Sequence, residues 1–327
     1  MLSKSSSTTT SQTVMARIRQ FDARNFIVYF GFLALFIFFA ITLRDAGFLT
    51  VNNLLNIVRQ TAIISVMAVA VTFVIAGGEI DLSVGAVAGL ASVTTALTIA
   101  QLGLVAGIVA GVLTGVLVGL VNGTLVTRVG IPSFLVTLGM MGVVRGSAMW
   151  ITATAPVPIL NDTYNNIFGS GQLGPFPSLL LWMVILLAVG QLVLRKTAYG
   201  RQVLATGGNE SAARFSGVNT QRIKLLVLVV ASTVAALAGM LYAGRLHSGR
   251  FQWGDGDELS VIAAVILGGT SLSGGAGSVV GSVIGALMIG LINNGLILMG
   301  LDVSQQVIIR GAIIILAVAL GRRNRGT

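Results

Sequence analysis

The chain has 327 residues, of which 55% are hydrophobic and only 9% charged, with a formal net charge of +10 and a mean hydropathy of +0.94. Soluble domains carry roughly 25% charged residues, so this chain cannot clothe itself in a water-compatible surface and reads as all-α, a polytopic membrane protein. It contains no cysteine, which excludes disulfides and thiolate metal sites, and its single histidine, His247, makes no ligand cluster.

Residues 1–25 open with "MLSKSSSTTTSQT" and are expected as a disordered polar tail. Apolar runs follow at about 26–43, 61–77, 83–100, 103–126, 132–153, 178–194, 225–244, 258–270, 276–299 and 303–320. A charge-free run of about 18 residues crosses a bilayer as a helix, and continuous apolarity excludes the alternation of a β-barrel. The expectation is about ten transmembrane helices in one unit, 26–321, with a short tail at 322–327. The 258–270 run is too short to span alone; it and 61–77 each end in a Gly-Gly pair, so either is a candidate discontinuous helix. The 26–43 run has a long polar preface and no small-residue cleavage site after it, and reads as a retained first span.

Lys and Arg collect on the cytoplasmic side of membrane proteins. With the N-terminus inside, that side holds Lys4, Arg17, Arg19, Arg24, Arg128, Arg195, Lys196, Arg201, Arg214, Arg222, Lys224, Arg322, Arg323 and Arg325, whereas the outside holds Arg44, Arg59, Arg245 and Arg250. Both termini are therefore expected in the cytoplasm. The positive excess faces anionic lipid, which accounts for the net charge without nucleic acid. The loop 154–177, with four of the five prolines and no basic residue, is expected to fold over the outer mouth.

Two glycine motifs interrupt the spans. In "GGEIDLSVG" (77–85), Gly77 and Gly78 permit a break, and Asp81 with Ser83 offers a cap for the helix that follows. A broken helix also places polar groups beside a pathway, so Glu79 and Asp81 serve either a pathway or a helix start. "LGGTSLSGGAGS" (267–278) repeats the pattern with Gly268, Gly269, Ser271 and Ser273, and the two breaks are expected to meet near the bundle centre as an inner gate; small-residue packing is the alternative. That second motif has no lysine, so the chain has no phosphate-binding P-loop. Many spans with few buried charges suit a transporter, driven either by a separate ATPase or by an ion carried on Glu79 or Asp81. Asn293 and Asn294 either line a path or bond between helices. Arg145 and Arg310 fall inside apolar runs, where a charge is paired, near water or snorkelling.

The basic island "YGRQVLATGGNESAARFSGVNTQRIK" (199–224) carries helix punctuation of its own. Asn209 is a cap, Glu210 suits the positive end of the dipole, and Gly217 fits the left-handed position after the last turn. Ala212, Phe215 and Ser216 then form a small apolar face on about two turns of helix, able to dock in a partner's groove. An ordinary anchoring loop is the alternative.

The island resembles the cytoplasmic coupling segment of the bacterial ABC permeases that import ribose, xylose, arabinose and galactose. "FLTVNNLLNIVRQTAIISVMAVAVTFVIAGGEIDLSVGAV" (48–87) and "DELSVIAAVILGGTSLSGGAGSVVGSVIGALMIGLINNGLILMG" (257–300) are similar to the second span and the C-terminal region of the same family. The resemblance implies a permease that is not itself an enzyme and needs no cofactor. It implies three partners: an ATP-hydrolysing subunit inside, a soluble sugar-binding protein outside, and a second permease copy or sister permease. Gly200, Arg201, Gly207, Gly208, Asn209, Glu210, Ala212, Ala213, Ser216 and Gly217 match the coupling segment, with Phe215 as its exposed knob. Glu79 departs from the family pattern, which reads Gly-Gly-Ile-Asp or Ser-Gly-Ile-Asp. The stretch 245–258 is expected as an outer loop, where Arg245, Arg250, Asp255 and Asp257 either pair with the binding protein or stay solvated. A branched-chain amino acid permease of the same superfamily and a stand-alone carrier are the alternatives.

Overall fold

The structure, a computed structural model, describes residues 24–323. The polar tail and the last residues of the C-terminal tail lie outside these, and the Arg310 side chain is likewise not described. The long helices are α1 (Arg24–Thr42), α2 (Val51–Ala76), α3 (Val84–Leu102), α4 (Leu104–Thr124), α5 (Ser133–Thr152), α7 (Ser178–Lys196), α10 (Thr220–Leu246), α12 (Val279–Leu298) and α13 (Val303–Arg323). Shorter helices are α6 (Asp162–Asn165), α8 (Ala198–Gly208), α9 (Glu210–Phe215) and α11 (Asp257–Leu267). Among the described residues, seven helices are long and apolar enough to cross a membrane: α2, α3, α4 with its π-helical extension to Val129, α5, α7, α10 and α12. The other three apolar runs fall on α1, α11 and α13. At roughly 1.5 Å per residue, eleven-residue α11 does not cross a bilayer, so 258–270 is a half-span as expected. The 61–77 run is instead the buried part of one continuous 26-residue helix, begun at Val51 and capped by Thr50, so Arg59 sits on a helix and not in a loop.

Helix α2 is apolar on every side and buried from Thr61 to Ala76, which is the pattern of a central element. Helices α10, α12, α7 and α11 surround it. On α4 a glycine recurs every fourth residue: Gly107, Gly111, Gly115, Gly119 and Gly123, all buried on one face. In lipid, close backbone approach replaces the hydrophobic effect as the source of helix affinity, and this stripe seats α4 against α3 and α10. A Cβ added to Gly115 would lie 2.5 Å from the Ser232 carbonyl, and one on Gly111 2.2 Å from Thr95 Oγ1.

The 154–177 loop packs against the bundle. It pairs Val157–Pro158 with Ser248–Gly249 in a two-residue ladder, stacks Tyr164 on Phe168 and Phe168 on Trp182, and donates the Tyr164 hydroxyl to the Met240 carbonyl at 2.8 Å.

Candidate functional site at the basic end of the bundle

The basic island folds as two helices rather than one. Thr197 Oγ1 accepts from Gly200 N at 3.2 Å and starts α8, a helix that propensity in this Gly-rich stretch does not announce. Asn209 ends it and begins the next, its Oδ1 accepting from Ala212 N at 2.9 Å. Gly217 closes α9 with φ +84°, and Val218 N bonds back to the Ala213 carbonyl. Ala213 faces inward, whereas Ala212 and Ser216 are exposed and Phe215 is 93% exposed. The Phe215 ring is thus held out from a short, capped helix.

Helix α8 is keyed into the bundle by backbone contact. A Cβ on Gly207 would lie 2.0 Å from the Ala76 carbonyl, and one on Gly274 2.4 Å from the Gly207 carbonyl. Gly275 N donates to the Ala76 carbonyl at 2.9 Å. Three glycine pairs, 77–78, 207–208 and 274–275, thus share one junction. The two broken-helix motifs do meet, but through Gly274 and Gly275. Gly268 packs instead on Gly281 and Ser282 of α12, and Ser271 N bonds to the Ala276 carbonyl within the same turn. Ser273 is exposed.

Beside the junction, Lys224 Nζ lies 2.8 Å from Glu79 Oε1 and 2.8 Å from Glu210 Oε2. Glu79 is buried, its side chain only 7% exposed, so a cation is what makes its charge tolerable. Arg214 and Thr220 also bond Glu210, at 3.0 and 3.1 Å. The Lys224 hydrogen bond, against a smaller opposing effect of burial, holds the Glu210 carboxyl below the usual glutamate range. Lys224 was legible only as part of a basic island; the signal that picks it out is the acid at position 79, which needs a partner.

After Gly78 the chain runs without regular secondary structure to Ser83. Ile80 N and Leu82 N donate to Ser133 Oγ and Thr137 Oγ1 of α5, each at 3.1 Å. Asp81 Oδ1 accepts from Ser83 N at 2.8 Å and Ser83 Oγ at 2.6 Å, and Asn122 donates to Ser83 Oγ. Asp81 thus folds the approach to α3 by a turn onto Ser83, whereas no side chain caps the free N–H groups of that helix.

The chain matches the family described as "Branched-chain amino acid transport system / permease component" over residues 53–318. It is 42% identical to the ribose import permease protein RbsC of Bacillus subtilis over 89% of this chain and 92% of that one. It is 37% identical to the ribose import permease protein RbsC of Escherichia coli K12, over 97% and 100%, and 33% identical to the xylose transport system permease protein XylH of the same strain, over 92% of each. The chain belongs to the monosaccharide-import family of ABC permeases. No solved structure matches it.

At the other end of this permease, the stretch expected as an outer loop folds back into the bundle. Residues 248–254 run along α3: a Cβ on Gly89 would lie 2.5 Å from the Phe251 carbonyl, and one on Gly85 2.2 Å from the Gly254 carbonyl. Glycine on both sides allows that approach. Ser92 Oγ bonds both Arg250 N and its carbonyl. Arg245 donates to the Arg59 carbonyl at 3.2 Å, Asp255 pairs with Arg145, and Asp257 accepts from the Tyr242 hydroxyl at 2.6 Å. Arg250 is exposed, its guanidinium 5.5 Å from the Trp253 ring centre. Asn294 exchanges amide bonds with Asn53 at 2.8 and 3.0 Å, the bonding alternative of the two open to Asn293 and Asn294; Asn293 beside it is half-buried.

Proposed function

We propose that this permease carries a monosaccharide or polyol into the cell, powered by a separate ATP-hydrolysing subunit that grips α9. It sits in the bacterial inner membrane with both termini cytoplasmic. The observation that carries the reading is the pairing of an exposed Phe215 with a clamp, Lys224, that joins α9 to the 77–83 break. When the ATPases close, α9 moves, and the ion pair and glycine junction pass that movement to the broken ends of α2 and α11. Two such units, from two copies or from a sister permease, enclose the path. A soluble binding protein delivers substrate to the outer face, where Arg250 is the exposed cation among the four charges expected to receive it.

The sugar reading is supported over the amino acid one by the relatives named above, whose likeness covers nearly the whole chain. The ion-carrier alternative loses support because Glu79, its chief candidate, is already neutralised by Lys224.

Purifying the tagged protein from its native membranes in gentle detergent tests the proposal. An ATPase should come with it and be lost with Glu210→Lys or Phe215→Ala. A protein that purifies alone, yet accumulates solute in ion-gradient-loaded vesicles, overturns it.

A further inference from the structure

We propose that Arg145, Asp255 and Glu258 form a hydroxyl-binding site at mid-membrane depth, for a neutral polyhydroxylated solute; the inference rests on the permease reading above. The depth follows from helix geometry. Helix α11 runs eleven residues from Asp257 to Leu267, and the loop after it returns to Ala76 at the basic end through Gly275. At ~1.5 Å per residue its start lies ~16 Å above that end, about half of a ~30 Å hydrocarbon layer. Arg145 lies twelve residues into α5 from Ser133, or ~18 Å up the same way.

Charges at this depth do not face lipid tails. Yet the Asp255 side chain is 54% exposed and that of Arg145 30% exposed on the surface of the single chain. Water or a facing subunit must therefore cover them. Beside Arg145, Gly139, Gly142 and Gly146 have nothing within 4 Å of where a Cβ would stand, so this stretch of α5 is open and flat enough for a ring to approach.

The polar groups here are incompletely used. Glu258 is buried, 8% exposed, and its Oε2 has no protein partner. It rests against the bare backbone of Gly85, where a Cβ would stand 2.4 Å from that oxygen. Arg145 Nε also lacks a partner although Arg145 pairs with Asp255 through its terminal nitrogen. Asp257 is occupied by Tyr242. A buried, unpaired polar atom is costly. Glu258 Oε2 and Arg145 Nε are closed off from the surface in this conformation, so a solute meets the exposed Asp255 and Arg145 side chains first and satisfies the buried atoms only as the 254–258 turn shifts off Gly85. Hydroxyl groups donate to the carboxylates and accept from the guanidinium. An anionic solute would meet two carboxylates, Asp255 and Glu258, against one guanidinium and is disfavoured, whereas a neutral polyol is not.

The test uses cells holding the whole transporter and radiolabelled ribose, arabinose and xylose. Asp255→Asn and Glu258→Gln should lower the maximal uptake of the sugar that the wild type carries by tenfold or more, with membrane level and ATPase retention unchanged. The exchange Arg145→Asp with Asp255→Arg should stay inactive, because the solute needs each group where it is. The protein has no cysteine, so Gly142→Cys gives a single thiol; a charged, water-soluble thiol reagent should modify it in at least one nucleotide state, more slowly with the sugar present. Uptake at wild-type level in both conservative variants, rescue by the exchange, or a thiol reached only by lipid-permeant reagents would overturn the site. A wild type that retains no ATPase and takes up none of the sugars would instead sink the permease reading beneath it.

Discussion

Lys224 holds Glu79 at 2.8 Å, and so ties the second turn of α10 to the break between α2 and α3. Glu79, expected from the sequence to be a departure from the family's pattern, has its partner at the end of the basic island. Glu79→Gln leaves Lys224 its bond to Glu210, so the loss should be smaller than the ~3–5 kcal/mol typical of breaking a buried pair; we expect ~1–2 kcal/mol. Uptake should weaken but persist. Thermal unfolding in detergent and an uptake assay check this, and abolished transport with an unchanged melting temperature would mean that Glu79 carries an ion.

Phe215 tests the knob. Its ring touches water rather than the bundle, so Phe215→Ala should leave the melting temperature within about 1 °C, since exposed substitutions change stability by only about 0.5 kcal/mol. ATPase co-purification should fall at least tenfold, as expected for a truncated aromatic anchor worth ~2 kcal/mol or more.

The acid limb of stability should report Glu210. Its carboxyl is held below the ordinary value by Lys224. A depressed folded-state pKa stabilises fully above the unfolded value, and that contribution disappears as pH falls through the lowered one. Hydrogen exchange of residues 209–220 should therefore stay slow at neutral pH and rise in the acid range below the ordinary glutamate pKa. Glu210→Gln should exchange faster at neutral pH and lose the acid step; an unchanged step assigns it to another group.

The glycine junction admits no side chain. Gly207→Ala forces a methyl group to within 2.0 Å of the Ala76 carbonyl, an overpacking that costs ~1–3 kcal/mol. Gly139→Ala, on the open face of α5, should cost at most a few tenths of a kcal/mol, since alanine favours helix over glycine. Melting temperatures of the two variants side by side decide it.

Asn53 and Asn294 should act as a unit. Each single alanine variant should lose about 1 kcal/mol, and the double variant little more, because side-chain hydrogen bonds between membrane helices are worth ~0.6 kcal/mol on average and up to ~1.7. Additive losses in the double-mutant cycle would show that the two amides act separately.

Composition and run length determined by themselves that this is an all-α membrane protein, because too few charges exist to cover a soluble surface and a bilayer fixes how long an apolar helix must be. Capping chemistry made α9 readable, since Asn209, Glu210 and Gly217 act within a few residues of one another. The tertiary structure decided the rest. It brought Gly274 and Gly275, and not Gly268 and Gly269, to the junction. It folded 248–254 back along α3 and set Lys224 between two acids far apart in the chain. Hydropathy reports where a segment prefers to be and local chemistry reports how it starts and stops. Which backbones touch depends on where glycines face one another across helices, and which charges pair depends on burial; neither is a property of a stretch of sequence read alone.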